Sequence, residues 1–253
     1  MNKIVLITGA TSGIGEACAE IFASNKFDII ITGRRKSKLA ELKIYLEDKY
    51  NINVLELCFD IQNRHEVSAS IDSLPEKWKK INILINNAGL ALGRDSFENA
   101  SVTDWETMLQ TNVNGLIYVT KKIVPFMIAS KAGHIITIGS IAGKEVYENG
   151  NVYCASKFAV DAISKSMRID LLKYGIKVTA IHPGAVETEF SIVRFKGDKE
   201  KADKAYLGYT PLQAKDIAES VFYTANLPKH VCINELIITC TEQANATYFN
   251  KKA

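Results

Sequence analysis

Seven short apolar runs constrain this chain most: KIVLIT (3–8), FDIIIT (27–32), INVLELC (52–58), INILIN (81–86), HIITIG (134–139), IKVTAI (176–181) and INELIIT (233–239). Runs this apolar, without polar alternation, suit strands that are covered on both faces, as a parallel sheet requires. Parallel neighbours need crossovers of a dozen or more residues, and every gap between the runs can hold a helix. Helix signals stand in those gaps. Ser101 precedes VTDWETMLQTNVNGLIYVTKKIVPFM, and Thr210-Pro211 followed by Gln213 reads as a capping-box start with proline at the first helical position. The expected fold is α/β: one doubly wound domain with a seven-stranded parallel sheet and helices on both faces, over residues 1–240. The polar tail TEQANATYFNKKA (241–253) lacks periodicity, and is expected to be either disordered or laid against a neighbouring subunit.

Composition narrows the function. With 15 glycines and 5 prolines in 253 residues, no flexible linker divides the chain. A formal net charge of +3 gives no bulk attraction to nucleic acid or to acidic membranes. No run approaches eighteen apolar residues and the N-terminus lacks the regions of a signal peptide, so a soluble cytoplasmic protein is expected. The five cysteines, Cys18, Cys58, Cys154, Cys232 and Cys240, are odd in number and widely spaced, which suits reduced thiols. The four histidines show no zinc spacing, so no metal is expected.

The first run ends in TGATSGIGEACAEIFA. A glycine turn from strand to helix lets backbone N–H groups approach a pyrophosphate and aims the positive end of a helix dipole at it, as in Rossmann domains. Gly9, Thr11, Ser12, Gly13, Ile14 and Gly15 are the candidates for that cradle. After the second run, Arg34 and Arg35 stand where an NAD-binding fold usually places an acid beside the ribose 2′-hydroxyl. Guanidinium forks suit a 2′-phosphate, so NADP(H) is the expected cofactor. Asp60, with Ile61 beside it, closes the third run as a candidate adenine neighbour. Asn87, Ala88 and Gly89 of NNAG close the fourth, where small residues permit close cofactor approach.

NVYCASKFAV (151–160) crowds Tyr153, Cys154, Ser156 and Lys157 together. On a helix, positions i and i+4 share a face, which joins Tyr153 to Lys157 and turns Cys154 and Ser156 elsewhere. Ser156 has no histidine partner in view, so an activated serine nucleophile is not expected, and Cys154 reads as a small apolar filler. Ser140 lies thirteen residues before Tyr153, at the end of the fifth run.

Taken together, the glycine motif, NNAG, Asn112 in NVNG, Ser140 and Tyr153-x-x-x-Lys157 resemble the short-chain dehydrogenases/reductases over nearly the whole chain. More narrowly, NNAGLALG, ASVTDWETM, GNVY and EFSIVRFKGD are similar to the bacterial NADP-dependent 3-hydroxy acid dehydrogenases, which oxidise serine and L-allo-threonine and reduce malonic semialdehyde. The resemblance implies hydride transfer between NADP(H) and a small 3-hydroxy acid, with Tyr153 as acid/base. Moving a phenol from a pKa of about 10 to about 7 takes roughly 4 kcal/mol. An ammonium about 4 Å away, at an effective dielectric near 20, supplies that amount, and Lys157 is the expected source. By the same resemblance Lys157 also holds the ribose, Ser140 donates to the carbonyl oxygen, and the Asn112 backbone holds a water in a proton relay. Pro183, Gly184, Val186 and Thr188 resemble the segment that binds the nicotinamide carboxamide. A charged stretch at about 188–210 reads as a mobile lid, from which Arg194 or Lys196 would meet a substrate carboxylate. A homotetramer packed through the helices near Ser101 and Tyr153 is also implied. The alternatives are reduction of another carbonyl, such as a 3-oxoacyl thioester or xenobiotic ketone, and a non-catalytic dinucleotide sensor.

Overall fold

All seven apolar runs become strands of one sheet in the computed structural model, which describes residues 2–252. They are β1 (Ile4–Ile7), β2 (Asp28–Gly33), β3 (Val54–Cys58), β4 (Ile81–Asn86), β5 (Gly133–Ile138) and β6 (Ile176–Pro183), with β9 (Glu235–Ile238) last. Their order is β3-β2-β1-β4-β5-β6-β9 and every pairing is parallel. The order reverses between β1 and β4, and that switch opens the crevice where such sheets bind ligands.

Burial on both faces explains the unbroken apolar runs. Helices α1 (Gly13–Ser24), α2 (Lys36–Tyr50) and α9 (Ala214–Ala225) cover one face, over Val5, Ile7, Ile29, Ile31 and Ile85. Phe22 of α1 meets Phe222 of α9 edge-on at 5.2 Å, a pair worth about 1 kcal/mol beyond its buried area. The opposite face, with Leu6, Ile30, Leu84 and Val178, is covered by α3 (Arg64–Asp72), α5 (Leu116–Ser130) and α6 (Asn151–Asp170).

Local chemistry sets the helix ends. Asn63 accepts the His65 and Glu66 N–H groups to start α3, and Ser101 accepts the Asp104 N–H to start α4 (Val102–Leu109). The pattern after Ser101 predicts one long helix, but it widens to a π-helical turn at Gln110–Gly115 between α4 and α5. Asn112 sits in that turn: its Oδ1 accepts the Leu90 N–H at 2.8 Å and its Nδ2 donates to the Leu90 carbonyl at 2.8 Å. A tertiary bond pair therefore widens the helix, as π-turns at functional sites often do.

Two expectations are corrected. Pro211 does not open a helix, because Leu212–Gln213 (β8) pairs with Val186–Glu187 (β7), and α9 begins afterwards with Gln213 and Asp216 as its capping box. The described part of the tail, 241–252, packs against its own chain instead of being disordered. Gln243 is buried and its Oε1 accepts the Ala185 N–H at 2.9 Å, the Tyr209 and Phe249 rings meet at a tilt with centroids 4.8 Å apart, and the Lys252 N–H donates to the Gly208 carbonyl at 2.7 Å. The lid segment holds two short helices, α7 (Glu189–Arg194) and α8 (Lys199–Lys204).

Candidate active site

One cavity of about 600 Å³ runs along the carboxyl ends of the central strands, from the glycine turn to Tyr153 and on to the tail. At the turn Gly9 has φ +66°, and a Cβ there would stand 2.9 Å from the Ala88 Cα. A Cβ on Gly15 would lie only 2.3 Å from the Gly9 carbonyl. The turn thus exists because two positions carry no side chain. Thr8 Oγ1 accepts the N–H groups of Asn87 and Ala88, and Asn87 Nδ2 donates to the Thr8 and Gly9 carbonyls. Asn87 therefore laces β4 to the turn. Ser12, the α1 N-cap, makes no side-chain cap bond, so the first amides of α1 face the cavity without a capping side chain.

Arg34 and Arg35 both line the cavity but are engaged differently. Arg34 is mostly exposed, with Nη1 3.7 Å from the Asp60 carboxylate. Arg35 donates to Thr11 Oγ1 and to the Thr11 carbonyl, and its Nη1 reaches Glu189 of α7 at 2.9 Å. It ties the glycine turn to the lid.

At the other end Ser140 lies two residues beyond β5. Its Oγ accepts the Ala142 N–H at 3.1 Å, which leaves the hydroxyl proton to be donated, and it hydrogen-bonds Tyr153. Tyr153 and Lys157 both line the cavity from α6. Ser156 is turned inward, donating to the Tyr153 carbonyl at 2.7 Å and accepting from Asn112 Nδ2 at 3.0 Å. Cys154 is buried in the packing, as expected of a filler.

The expected drop in the Tyr153 pKa is absent from this pocket. Burial, reinforced by the neighbouring Tyr147 phenol, pushes Tyr153 well above its usual value, against the Ser140 hydrogen bond and the Arg194 guanidinium. Lys157 is itself buried, donating to the Ile138 carbonyl at 3.1 Å, and burial lowers it to about 8. Burial disfavours the charged form of both groups, and so moves the phenol up and the ammonium down.

Known proteins resemble this chain in sequence and fold. The short chain dehydrogenase family model covers residues 3–199. The NADP-dependent 3-hydroxy acid dehydrogenase YdfG of Salmonella typhi is 49% identical over 232 residues, covering 91% of this chain and 92% of its own. The chain belongs to the short-chain dehydrogenases. Sulfoacetaldehyde reductase 2 of Chromohalobacter salexigens is 43% identical over 245 residues, 96% of each chain. A solved structure of serine dehydrogenase, closed and complexed with NADP+, superposes with a TM-score of 0.91 at 45% identity, covering 99% of this chain and all of that one.

Most of the expected site residues of this short-chain dehydrogenase converge on the cavity: Gly9, Thr11, Ser12, Gly13 and Ile14 at the turn, then Asp60, Ile61, Asn87, Ala88 and Gly89, then Ser140, Tyr153, Lys157, Pro183, Gly184, Val186, Thr188 and Arg194. Two do not line it. Gly15 lies behind the turn, where its missing Cβ matters, and Asn112 is buried behind Leu90. Lys196 is also corrected, since its ammonium pairs with Asp104 at 2.7 Å instead of facing the cavity.

At the far end of the cavity only Arg194 was read from the sequence. Arg194 donates from Nε to the Gly93 carbonyl at 3.2 Å and from Nη1 to the Tyr147 hydroxyl at 3.0 Å, with its guanidinium 5.5 Å from the Tyr153 ring centroid. Arg94, Tyr147, Tyr206, Tyr209, Gln243 and Phe249 complete the wall. Tyr206 and Tyr209 lie within the lid and Tyr147 far before it, and the three follow no period that a sequence would show. Behind Ser140, the potential ligands Asp161, His182 and Glu235 also cluster, from segments too distant for any motif. Lys144 reaches Asp161 at 2.9 Å and Glu235 at 2.6 Å, so an ammonium already neutralises those carboxylates. Among the described residues no helix is long and apolar enough to cross a membrane.

Proposed function

We propose that this short-chain dehydrogenase interconverts small 3-hydroxy acids and the corresponding 3-oxo acids, with NADP(H) as hydride carrier. The cradle fits such a cofactor: the α1 amides lack a capping side chain, two glycines keep the turn open, and guanidinium groups stand at the end of β2. When bound, NADP(H) would supply the hydride acceptor or donor and, in its oxidised form, a positive charge.

The chain's own residues manage the proton and the oxygen. In oxidation the Tyr153 oxygen acts as the phenolate, which the positive charges of Lys157 and of a bound NADP+ favour, and takes the hydroxyl proton as the C–H hydride leaves. In reduction the phenol gives its proton to the carbonyl oxygen. Ser140 donates to the same oxygen and stabilises charge developing there. Lys157 holds the ribose and contributes positive charge, and the widened turn at Asn112 presents backbone carbonyls for a water leading to Lys157. Asp60 and Ile61 border the adenine, and Pro183 to Thr188 border the carboxamide.

Arg194 is the observation that carries the substrate reading. A guanidinium 5.5 Å from the Tyr153 ring, held by Tyr147 and Gly93, suits a carboxylate two carbons from the reacting carbon. A sulfonate in the same place is the second reading, favoured by the likeness to sulfoacetaldehyde reductase. The 188–210 segment acts as lid over this end. We further propose a cytoplasmic homotetramer, supported by the exposed apolar side chains Val102 and Ile117, and by Phe158 and Ile169 on α6. Light scattering reporting four chains per particle is the expected result.

A substrate screen tests the reading. L-serine, L-allo-threonine or 3-hydroxypropionate should reduce NADP+ at measurable rates, and Tyr153→Phe should cut turnover by about 10³-fold while cofactor binding persists. Faster turnover of 2-hydroxyethanesulfonate than of any hydroxy acid would favour the sulfonate. Turnover of acyl thioesters alone would overturn both.

A further inference from the structure

Arg94 is a guanidinium that the proposed reaction leaves unused. It follows the Gly93 strap, lines the same cavity, and stands 5.7 Å from the Tyr147 ring centroid. Arg194 stands at the same 5.7 Å from that ring. The two cations differ in every other respect. Arg194 is half-buried, bonded to Gly93 and Tyr147, and placed over Tyr153. Arg94 is exposed, and among the described residues it makes neither an ion pair nor a hydrogen bond, although Asp95, Glu98 and Asp104 share its segment. Its charge also reaches the opposite wall, where it opposes the burial that pushes the Tyr209 phenol up to about 12. One cation therefore sits beside the reacting carbon, and a second stands at the outer end, facing the lid and the tail.

We propose that Arg94 recognises a second anionic group on the substrate, so that the enzyme favours 3-hydroxy acids carrying a carboxylate at each end. The proposal rests on the reading of Arg194 as the inner anion site. A planar guanidinium without a protein partner suits a carboxylate, and its exposure makes the contact sensitive to salt. A substrate with one anion leaves Arg94 in water at no cost. Because the contact is remote from the reacting carbon, it strengthens ground state and transition state alike, and its effect falls on KM.

The experiment compares 3-hydroxyglutarate with its monoamide, two substrates of one shape that differ by a charge. In the wild-type enzyme the diacid should have kcat/KM about fivefold above the monoamide. Arg94→Gln should erase that ratio through KM, with kcat retained, and added salt should shrink it in the wild type. Equal kcat/KM for the two substrates in the wild type, or equal losses on Arg94→Gln, would overturn the proposal. Arg194→Gln is the separating arm and should raise KM for both substrates. If it does so while Arg94→Gln is silent, only the outer site is wrong; if it does not, the inner anion reading has failed.

Discussion

The two ends of the cavity are built from different materials. The phosphate end is backbone: a left-handed glycine, a second glycine pressed on the first, and helix amides without a capping side chain. The substrate end is side chains, with Arg94 and Arg194, Tyr147 and Tyr209, and Phe249, drawn from a strap, a loop, a lid and a tail. A backbone site tolerates almost no added atom but demands little of its neighbours' identity. A side-chain site can be retuned residue by residue, so binding of one cofactor coexists with varied substrates among relatives of one fold.

Adding one carbon should break the phosphate end more severely than any single change at the other. The Gly15→Ala methyl would point at the Gly9 carbonyl from 2.3 Å, and that contact is backbone, which cannot swing aside. Overpacking of this kind costs about 1–3 kcal/mol. Thermal unfolding should report a lower Tm, and fluorescence titration should report NADPH affinity weakened by at least the same energy. Unchanged affinity would mean that the turn does not form the cradle.

The next test asks whether side chains matter at the phosphate end at all. Arg34 is mostly exposed and close only to Asp60, whereas Arg35 is spent on Thr11 and Glu189. Arg34→Asp should therefore weaken NADP+ by roughly tenfold relative to NAD+, about 1.4 kcal/mol of discrimination. Arg35→Ala should change both cofactors similarly, because its loss frees the lid more than it unpairs a phosphate. The reverse ranking would assign the 2′-phosphate to Arg35.

How much could be read in advance follows the same division. Strands and glycine turn are local patterns with a fixed period or spacing, and they were legible. So were Tyr153 and Lys157, since helical phase alone joins them. Illegible were contacts between distant segments: the Gln243 tail bonded to Ala185, Lys196 diverted to Asp104, and Leu212, next to Pro211, drawn into a two-residue strand by Val186. Asn112 shows the boundary, since its helix was visible but the Leu90 bonds that widen the helix were not. The electrostatics also lay beyond the sequence. Spacing shows that Lys157 can reach Tyr153, but only burial decides how much charge it keeps.

That last point has the smallest and most specific consequence. The free protein holds Tyr153 protonated through the working range, since burial raises it, and Lys157 is the group brought down to about 8. Below that pH its ammonium attracts the anionic cofactor, and above it the attraction is lost, so NADPH affinity should fall as pH rises through about 8. A partly screened charge of this kind is worth about 1 kcal/mol, or roughly fivefold in Kd. Tyr153→Phe should leave the inflection in place, and Lys157→Met should flatten it. If Tyr153→Phe removed the inflection instead, the titrating group would be the phenol, and the balance of burial against charge at this end would have to be reversed.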